Sequence, residues 1–115
     1  GANSIATYKN KYFTIVGGNF TNDKNPTGNC LFTADLKNGF HKPATPPHGY
    51  RSCVIYISKE MMLCCGTSGI DISRDSGNNW EVISGKSFHV CAKAKKGKKI
   101  FLAGGNGKIA EFVYN

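Results

Sequence analysis

Short apolar runs separated by polar turns cover most of the sequence. Three of the runs end at a glycine or at a pair of small residues, and they occupy 12–18, 61–67 and 100–105. A shorter apolar segment and a polar turn precede each run, and a further apolar segment follows it. Short runs bounded by Gly, Asn and Ser are typical of β-strands, and no stretch has the period of a long amphipathic helix. The pattern therefore predicts an all-β chain built from a repeated unit.

The spacing of the three runs indicates the size of the repeat. Gly17 and Gly66 are 49 residues apart, and Gly66 and Gly104 are 38 residues apart. A β-propeller blade of four short strands takes about 40 to 50 residues. We therefore predict about two complete four-stranded blades and one three-stranded blade, at about 4–46, 50–85 and 87–115, with the fourth strand of the first blade at 40–44. The insertion at 19–29 accounts for the longer first interval.

Several predicted strands are apolar on both faces. The segments 54–57, 61–65 and 100–103 are continuous apolar runs, which is typical of strands covered on both sides. Neighbouring propeller blades cover each other in this way, and propellers typically have at least four blades. We therefore expect a partial propeller that belongs to a six- or seven-bladed ring. Self-association or remaining blades would complete the ring.

The segment 73–80 has the composition of a tight hairpin. Asp75 can accept backbone N–H bonds, Gly77 can adopt a positive φ, and the two asparagines that follow tolerate the left-handed region. Trp80 offers a large apolar surface. Four residues match the signature S-x-D-x-G-x-x-W: Ser73, Asp75, Gly77 and Trp80. The segment thus resembles the Asp-box, or BNR repeat, of β-propellers, which implies a structural role for these four residues. A degenerate copy is expected at 35–40.

A wider resemblance covers a little over half of the chain. The segments 49–54, 65–73, 88–91 and 102–107 are similar to those of bacterial proteins related to the photosystem II stability and assembly factor, which often carry an oxidoreductase label. The resemblance implies a propeller that is often exported to the periplasm or the cell exterior. No cofactor is predicted, because the glycines at 104–107 lack the strand–turn–helix context of a dinucleotide site.

Charge and cysteine content narrow the range of partners. The net charge of +8 suits an acidic partner. The densest lysine group, at 93–99, is predicted to be an exposed turn, and no aromatic residues interleave with it, so nucleic acid is not expected. The five cysteines show no metal-binding spacing, so no metal is predicted, and we expect them to be small buried residues. A single disulfide bridge between neighbouring strands is the alternative for two of the cysteines. No membrane-spanning segment is predicted.

Candidate ligand-binding residues lie at the start of two strands predicted to line the propeller channel. Arg51 could hold a carboxylate and His89 could act as an acid, a base or a hydrogen-bond donor. Cys53 and Cys91 follow them by two residues each, so the two pairs are interpreted as a repeat at the channel mouth. The alternative interpretation is ordinary packing at strand ends.

The leading functional hypothesis is a non-catalytic propeller module that binds a protein or a glycan. The alternative is an enzyme with its site at the channel, either a sialidase-like hydrolase or the labelled oxidoreductase. A sialidase needs three arginines for the substrate carboxylate and a tyrosine nucleophile. The chain has only two arginines, Arg51 and Arg74, so a complete site of this kind is not predicted.

Overall fold

The protein is all-β, as predicted. A computed structural model describes residues 1–114, and within them the chain forms three antiparallel sheets and three short 3-10 turns, with no α-helix. None of the described segments is a helix long and apolar enough to cross a membrane. The first sheet contains β1 (Ala2–Tyr8), β2 (Tyr12–Gly17) and β3 (Cys30–Thr33). The second contains β4 (Cys53–Tyr56), β5 (Met62–Gly66), β6 (Gly69–Ser73) and β7 (Trp80–Ser84), and the third contains β8 (Val90–Lys93), β9 (Ile100–Ala103) and β10 (Ile109–Phe112).

Each sheet is a simple meander in chain order. The fourth strand expected at 40–44 is not formed, so the first sheet has three strands rather than four. Only one bridge, between His41 and Phe32, continues the ladder beyond β3. Pro43 follows two residues later and has no N–H to donate, which accounts for the end of the pairing.

The sheets are stacked through their first strands. The Arg51 amide donates to the Gly17 carbonyl at 2.8 Å, and the Phe88 amide donates to the Gly66 carbonyl at 3.1 Å. Equivalent bonds therefore join the first sheet to the second and the second to the third. The rings of Tyr8 and Tyr56, at the ends of β1 and β4, lie 5.8 Å apart. The turns that follow these two strands consequently lie on the same side of the molecule.

The middle sheet is covered on both faces. One face packs on the first sheet in a core of six buried residues: Val16, Cys30, Val54, Met62, Cys64 and Trp80. The other face packs on the third sheet, in a core that includes Leu63, Cys65, Ile72, Phe88, Cys91, Ile100 and Leu102. Burying a large aliphatic side chain contributes about 1.5–3 kcal/mol. The continuous apolar runs in the sequence follow from this arrangement.

Three glycines occupy equivalent positions in the three sheets. Gly17 and Gly66 end the second strands, and Gly104 directly follows one. A Cβ at Gly66 would collide with the Tyr50 carbonyl, and one at Gly104 would lie 3.1 Å from the Ser87 carbonyl. The segment that leads into the first strand of each sheet therefore passes close to the glycine, and its carbonyl would collide with a Cβ at Gly17 or Gly66 and crowd one at Gly104. The glycines whose spacing suggested a repeat therefore occupy equivalent places in the three sheets.

The two ends of the stack are apolar and uncovered. On the first sheet, Ile5 is 62% exposed and Leu31 is also exposed. On the third sheet, Ile109 is 74% exposed, and Val90 and Phe101 are exposed beside it. These two surfaces, called the end faces below, differ from the middle sheet, whose β5 and β6 are buried along their whole length.

Candidate functional site

The segment 73–80 forms a hairpin held by its own polar side chains. The hydroxyl of Ser73 accepts from the Gly77 amide at 2.9 Å, and Asp75 accepts from the Asn79 amide at 2.8 Å. The indole of Trp80 donates to the Gly77 carbonyl at 2.9 Å and is buried. Partial burial raises the pKa of Asp75, but the hydrogen bonds from Asn79, Ser73 and Asn78 together outweigh it and the net pKa is lowered.

One conformational detail of this hairpin differs from the prediction. Gly77 has the expected positive φ of 101°, but the second left-handed residue is Ser76, at 65°, and neither asparagine is left-handed. Asn79 instead donates its side-chain amide to Asp75 at 2.7 Å. Its role is to bond the carboxylate, while the sharp turn is made at Ser76 and Gly77.

The related segment 35–40 shares only the first half of this arrangement. Asp35 accepts from the Lys37 amide at 3.0 Å, and its own amide donates to the Thr33 hydroxyl at 3.0 Å. Phe40, in the place of Trp80, is exposed and starts no strand. The polar turn is therefore present without its buried aromatic residue.

A buried ion pair lies at the start of the middle sheet. The Arg51 guanidinium donates to Asp71 through Nε at 2.9 Å and through Nη2 at 2.5 Å, and both side chains are completely buried. The Nη1 atom of Arg51 donates to the Tyr50 carbonyl at 2.8 Å and to the Ser68 hydroxyl at 3.0 Å. All three guanidinium nitrogens thus have partners inside the protein.

Arg51 is consequently not placed as a ligand clamp. The sequence prediction put it at an open channel mouth, but the side chain has no solvent exposure and its charge is neutralised by Asp71. The signal for this was in the sequence, because Asp71 is a lone carboxylate within the buried strand Gly69–Ser73. A buried carboxylate requires a cationic or hydrogen-bonding partner.

His48 connects this buried carboxylate to the surface. Its Nδ1 lies 2.6 Å from Oδ2 of Asp71, and its backbone amide also bonds this carboxylate. The imidazole is 46% exposed. An aspartate that holds Nδ1 orients the ring and leaves Nε2 toward solvent. Sequence reasoning missed both His48 and Asp71.

Cys53 and Cys91 meet at the junction between the second and third sheets. The Cys91 amide donates to Sγ of Cys53 at 3.4 Å, and the Cys53 thiol lies 3.4 Å from the Cys91 carbonyl. Cys65 is the partner of Cys53 in the β4–β5 register, and its thiol also lies against that of Cys91. We call Cys53, Cys65 and Cys91 the thiol cluster.

The cluster is electrostatically asymmetric. Hydrogen bonding from the Cys91 thiol lowers the pKa of Cys53 to about 6, against the opposing effect of burial and with further help from the Cys91 amide and the Ser4 hydroxyl. The same contacts with Cys53 and Cys65, together with burial, raise the pKa of Cys91. Cys53 is also partly exposed, whereas Cys65 and Cys91 are buried. The cluster therefore contains one partly exposed cysteine whose pKa is lowered and two buried cysteines.

His89 does not occupy a position equivalent to Arg51. The interstrand register pairs Cys53 with Cys65 and Val90 with Ala103, so Cys53 corresponds to Val90 in the next sheet. The apparent repeat of a basic residue two before a cysteine is thus out of register by one residue. His89 itself is exposed, and its carbonyl accepts from the Ser52 hydroxyl at 2.7 Å.

The turns between the first and second strands of the sheets are basic. Lys9 and Lys11 lie in the first turn, Lys59 in the second, and Lys95, Lys96, Lys98 and Lys99 in the third. All seven are exposed, so the exposed turn expected at 93–99 is confirmed for the lysines at 95–99, whereas Lys93 ends β8 and is half-buried. The Lys59 ammonium lies 5.3 Å from the centre of the Tyr12 ring, which places the first two turns side by side. These turns form a surface that we call the basic end.

The described residues contain no group of three or more His, Cys, Asp or Glu side chains arranged to hold a metal ion. No protein family, curated protein or solved structure matches the chain.

Proposed function

We propose that the three sheets are blades of a β-propeller, and that the protein is a non-catalytic module that binds an acidic protein or glycan. The Asp-box hairpin at 73–80, the contacts between first strands and the equivalent glycines support the blade interpretation. In this arrangement a polar function belongs at the ends of the strands, because the sheet faces are used for packing.

The apolar end faces carry the proposal. Ile5 and Leu31 on one side, and Val90, Phe101 and Ile109 on the other, are exposed on a chain whose inner sheet is covered on both sides. Contiguous apolar surface of this kind marks an interaction site. Further blades, from the same protein or from other copies of this chain, would cover the end faces as the outer sheets cover the middle one.

The basic end supports the choice of partner. Its seven lysines account for a large part of the 15 Lys and Arg residues of the chain, and Glu60 is the acidic residue within its turns. Lys9 lies 5.5 Å from the centre of the Tyr8 ring, and Lys11 lies 5.6 Å from that of Tyr12. Exposed ammonium groups beside partly buried tyrosines suit carboxylate- or sulfate-bearing partners.

A sialidase-like site receives no support from the described residues. Arg51 is buried against Asp71, and Arg74 forms a surface ion pair with Glu81 at 2.8 Å. Neither guanidinium is therefore available to hold a substrate carboxylate in this arrangement. This is why the binding module is preferred over the hydrolase.

Light scattering after gel filtration tests the blade interpretation. The chain has a mass of 12.4 kDa, and we expect the isolated wild-type protein to elute as an assembly of two or more copies. Ile109→Lys or Ile5→Lys should reduce the mass to that of one chain. Val82→Lys is the matched control, because Val82 is an exposed apolar residue of the middle sheet. A wild-type monomer that melts cooperatively would refute the end-face argument.

Binding to immobilised ligands tests the choice of partner. We expect the protein to bind a sulfated glycan or an acidic peptide and to ignore a neutral glycan, with affinity that falls as salt is raised because exposed charges are screened. Replacing Lys9, Lys11 and Lys59 together with Gln should weaken binding at least tenfold. Lys24→Gln, outside the basic end, should leave it unchanged. Equal losses in both variants would remove the basic end from the proposal.

A further inference from the structure

The thiol cluster has no role in the binding module proposed above. Its members come from β4, β5 and β8, so it joins two strands of the second sheet to the first strand of the third. Only Cys53 is reachable by solvent, and its sulfur lies against the backbone of Cys91. An accessible thiol beside a buried thiol from another sheet is the arrangement of a nucleophile and a resolving partner.

We infer that Cys53 and Cys91 are a redox-active pair that reacts with low-molecular-weight disulfides and closes a reversible bond between the second and third sheets. The inference is independent of the partner bound at the basic end. Cys53 is the attacking group, since it is the partly exposed member and its sulfur accepts an N–H hydrogen bond. Cys91 is the resolving group, since it is buried and its backbone lies against the Cys53 sulfur.

The chemistry is two successive thiol–disulfide exchanges. The Cys53 thiolate attacks one sulfur of a disulfide RSSR, forming a mixed disulfide and releasing the thiolate RS⁻. Cys91 then gives up its proton and attacks the Cys53 sulfur, which forms the Cys53–Cys91 bond and releases the second RS⁻. The two cysteines lose two electrons together, and RSSR gains them as two thiols. A dithiol reductant reverses both steps.

The electrostatics of the pair favour this order of events. The lowered pKa of Cys53 keeps it ionised at neutral pH, and the raised pKa of Cys91 keeps that thiol protonated until the mixed disulfide has formed. Cys30 offers a contrast within the same chain. Burial raises its pKa to about 12, so it should not react under the same conditions.

Peptide mapping after exposure of the folded protein to oxidised glutathione tests the inference. Trypsin separates Cys53 in peptide 52–59 from Cys91 in peptide 87–93 and from Cys64 and Cys65 in peptide 60–74. We expect peptides 52–59 and 87–93 to be joined, with a loss of two hydrogens, and to separate after reduction. A link from 52–59 to 60–74, a lasting glutathione adduct on wild-type Cys53, or no reaction would overturn the assignment.

Two substitutions distinguish the roles of the cysteines. Cys91→Ala should leave glutathione attached to Cys53, and Cys53→Ser should abolish reaction of the folded protein. Cys30→Ala is the control, because Cys30 belongs to the core on the other face of the middle sheet, and the joined peptides should still form. If a variant fails to fold, the map of the wild-type protein still decides the outcome.

Discussion

Asp71→Asn is the substitution that best tests the energetic account of the middle sheet. The change keeps the shape of the side chain but removes the charge that neutralises Arg51. The guanidinium would remain completely buried, but only neutral oxygens, among them the Tyr50 carbonyl and the Ser68 hydroxyl, would accept its hydrogen bonds. Breaking one partner of a buried ion pair costs about 3–5 kcal/mol, because it leaves an uncompensated charge.

A loss of this size is a large part of the total stability. Small domains unfold at a cost of about 5–15 kcal/mol, so the variant should be near the edge of folding at room temperature. Urea denaturation followed by the fluorescence of the only tryptophan, the buried Trp80, measures the change. With a slope of about 1–3 kcal/mol per molar urea, the midpoint should fall by more than about 1 M.

An exposed ion pair in the same sheet provides the control. Arg74 and Glu81 lie 2.8 Å apart, but their side chains are 61% and 68% exposed. Such pairs contribute about 0–1 kcal/mol, so Glu81→Gln should hardly move the midpoint. If Asp71→Asn cost less than about 1 kcal/mol, or no more than Glu81→Gln, the reasoning from the buried charge would be wrong.

Three further outcomes are expected. Gly66→Ala should destabilise the protein by about 1–3 kcal/mol in thermal or urea unfolding, because the new Cβ would collide with the Tyr50 carbonyl. Gly85→Ala is the control: nothing lies within 4 Å of a Cβ at this position, so the free energy of unfolding should change by less than about 1 kcal/mol. Trp80→Ala should cost about 3–5 kcal/mol, because it removes a buried side chain and its hydrogen bond within the hairpin. Unfolding is followed by circular dichroism, since the variant has lost the fluorophore, and a loss of less than about 1 kcal/mol would show that the hairpin does not need Trp80. The rate at which iodoacetamide alkylates Cys53 should rise with pH to a plateau, with a midpoint near 6, because the thiolate is the reactive form and the pKa of Cys53 is lowered. A midpoint near 9, the ordinary value for a cysteine, would contradict the lowering by hydrogen bonds.

The repeat and the hairpin could be predicted because they depend on local chemistry. Gly17, Gly66 and Gly104 recur at intervals of 49 and 38 residues, and a backbone carbonyl approaches each of them in the structure. The hairpin at 73–80 is determined by side chains that bond amides within four residues. Continuous apolar runs such as 54–57 also indicated a sheet covered on both faces, since a strand with one solvent-exposed face would alternate apolar and polar residues.

The candidate site was predicted less well than the repeat and the hairpin, because it depends on strand register and on contacts between residues that are distant in the sequence. Arg51 and His89 looked equivalent in the sequence, but a one-residue difference in register separates them. A slip of this size turns a side chain to the opposite face of a strand. Asp71 and Arg51 are 20 residues apart, and nothing local marks them as partners. The strand expected at 40–44 failed for a simpler reason, the proline within it.

The position of the middle sheet determines the order in which the three sheets unfold. Only this sheet has a neighbour on each face, so it gains stabilisation from two interfaces while each outer sheet depends on one. In a linear array of such units, stability is approximately the sum of each unit and its interfaces. Local opening therefore begins at the first or third sheet and reaches β5 and β6 last. The interior of this small protein is in effect the single middle sheet, which the two outer sheets shield from solvent while their own outer faces stay exposed.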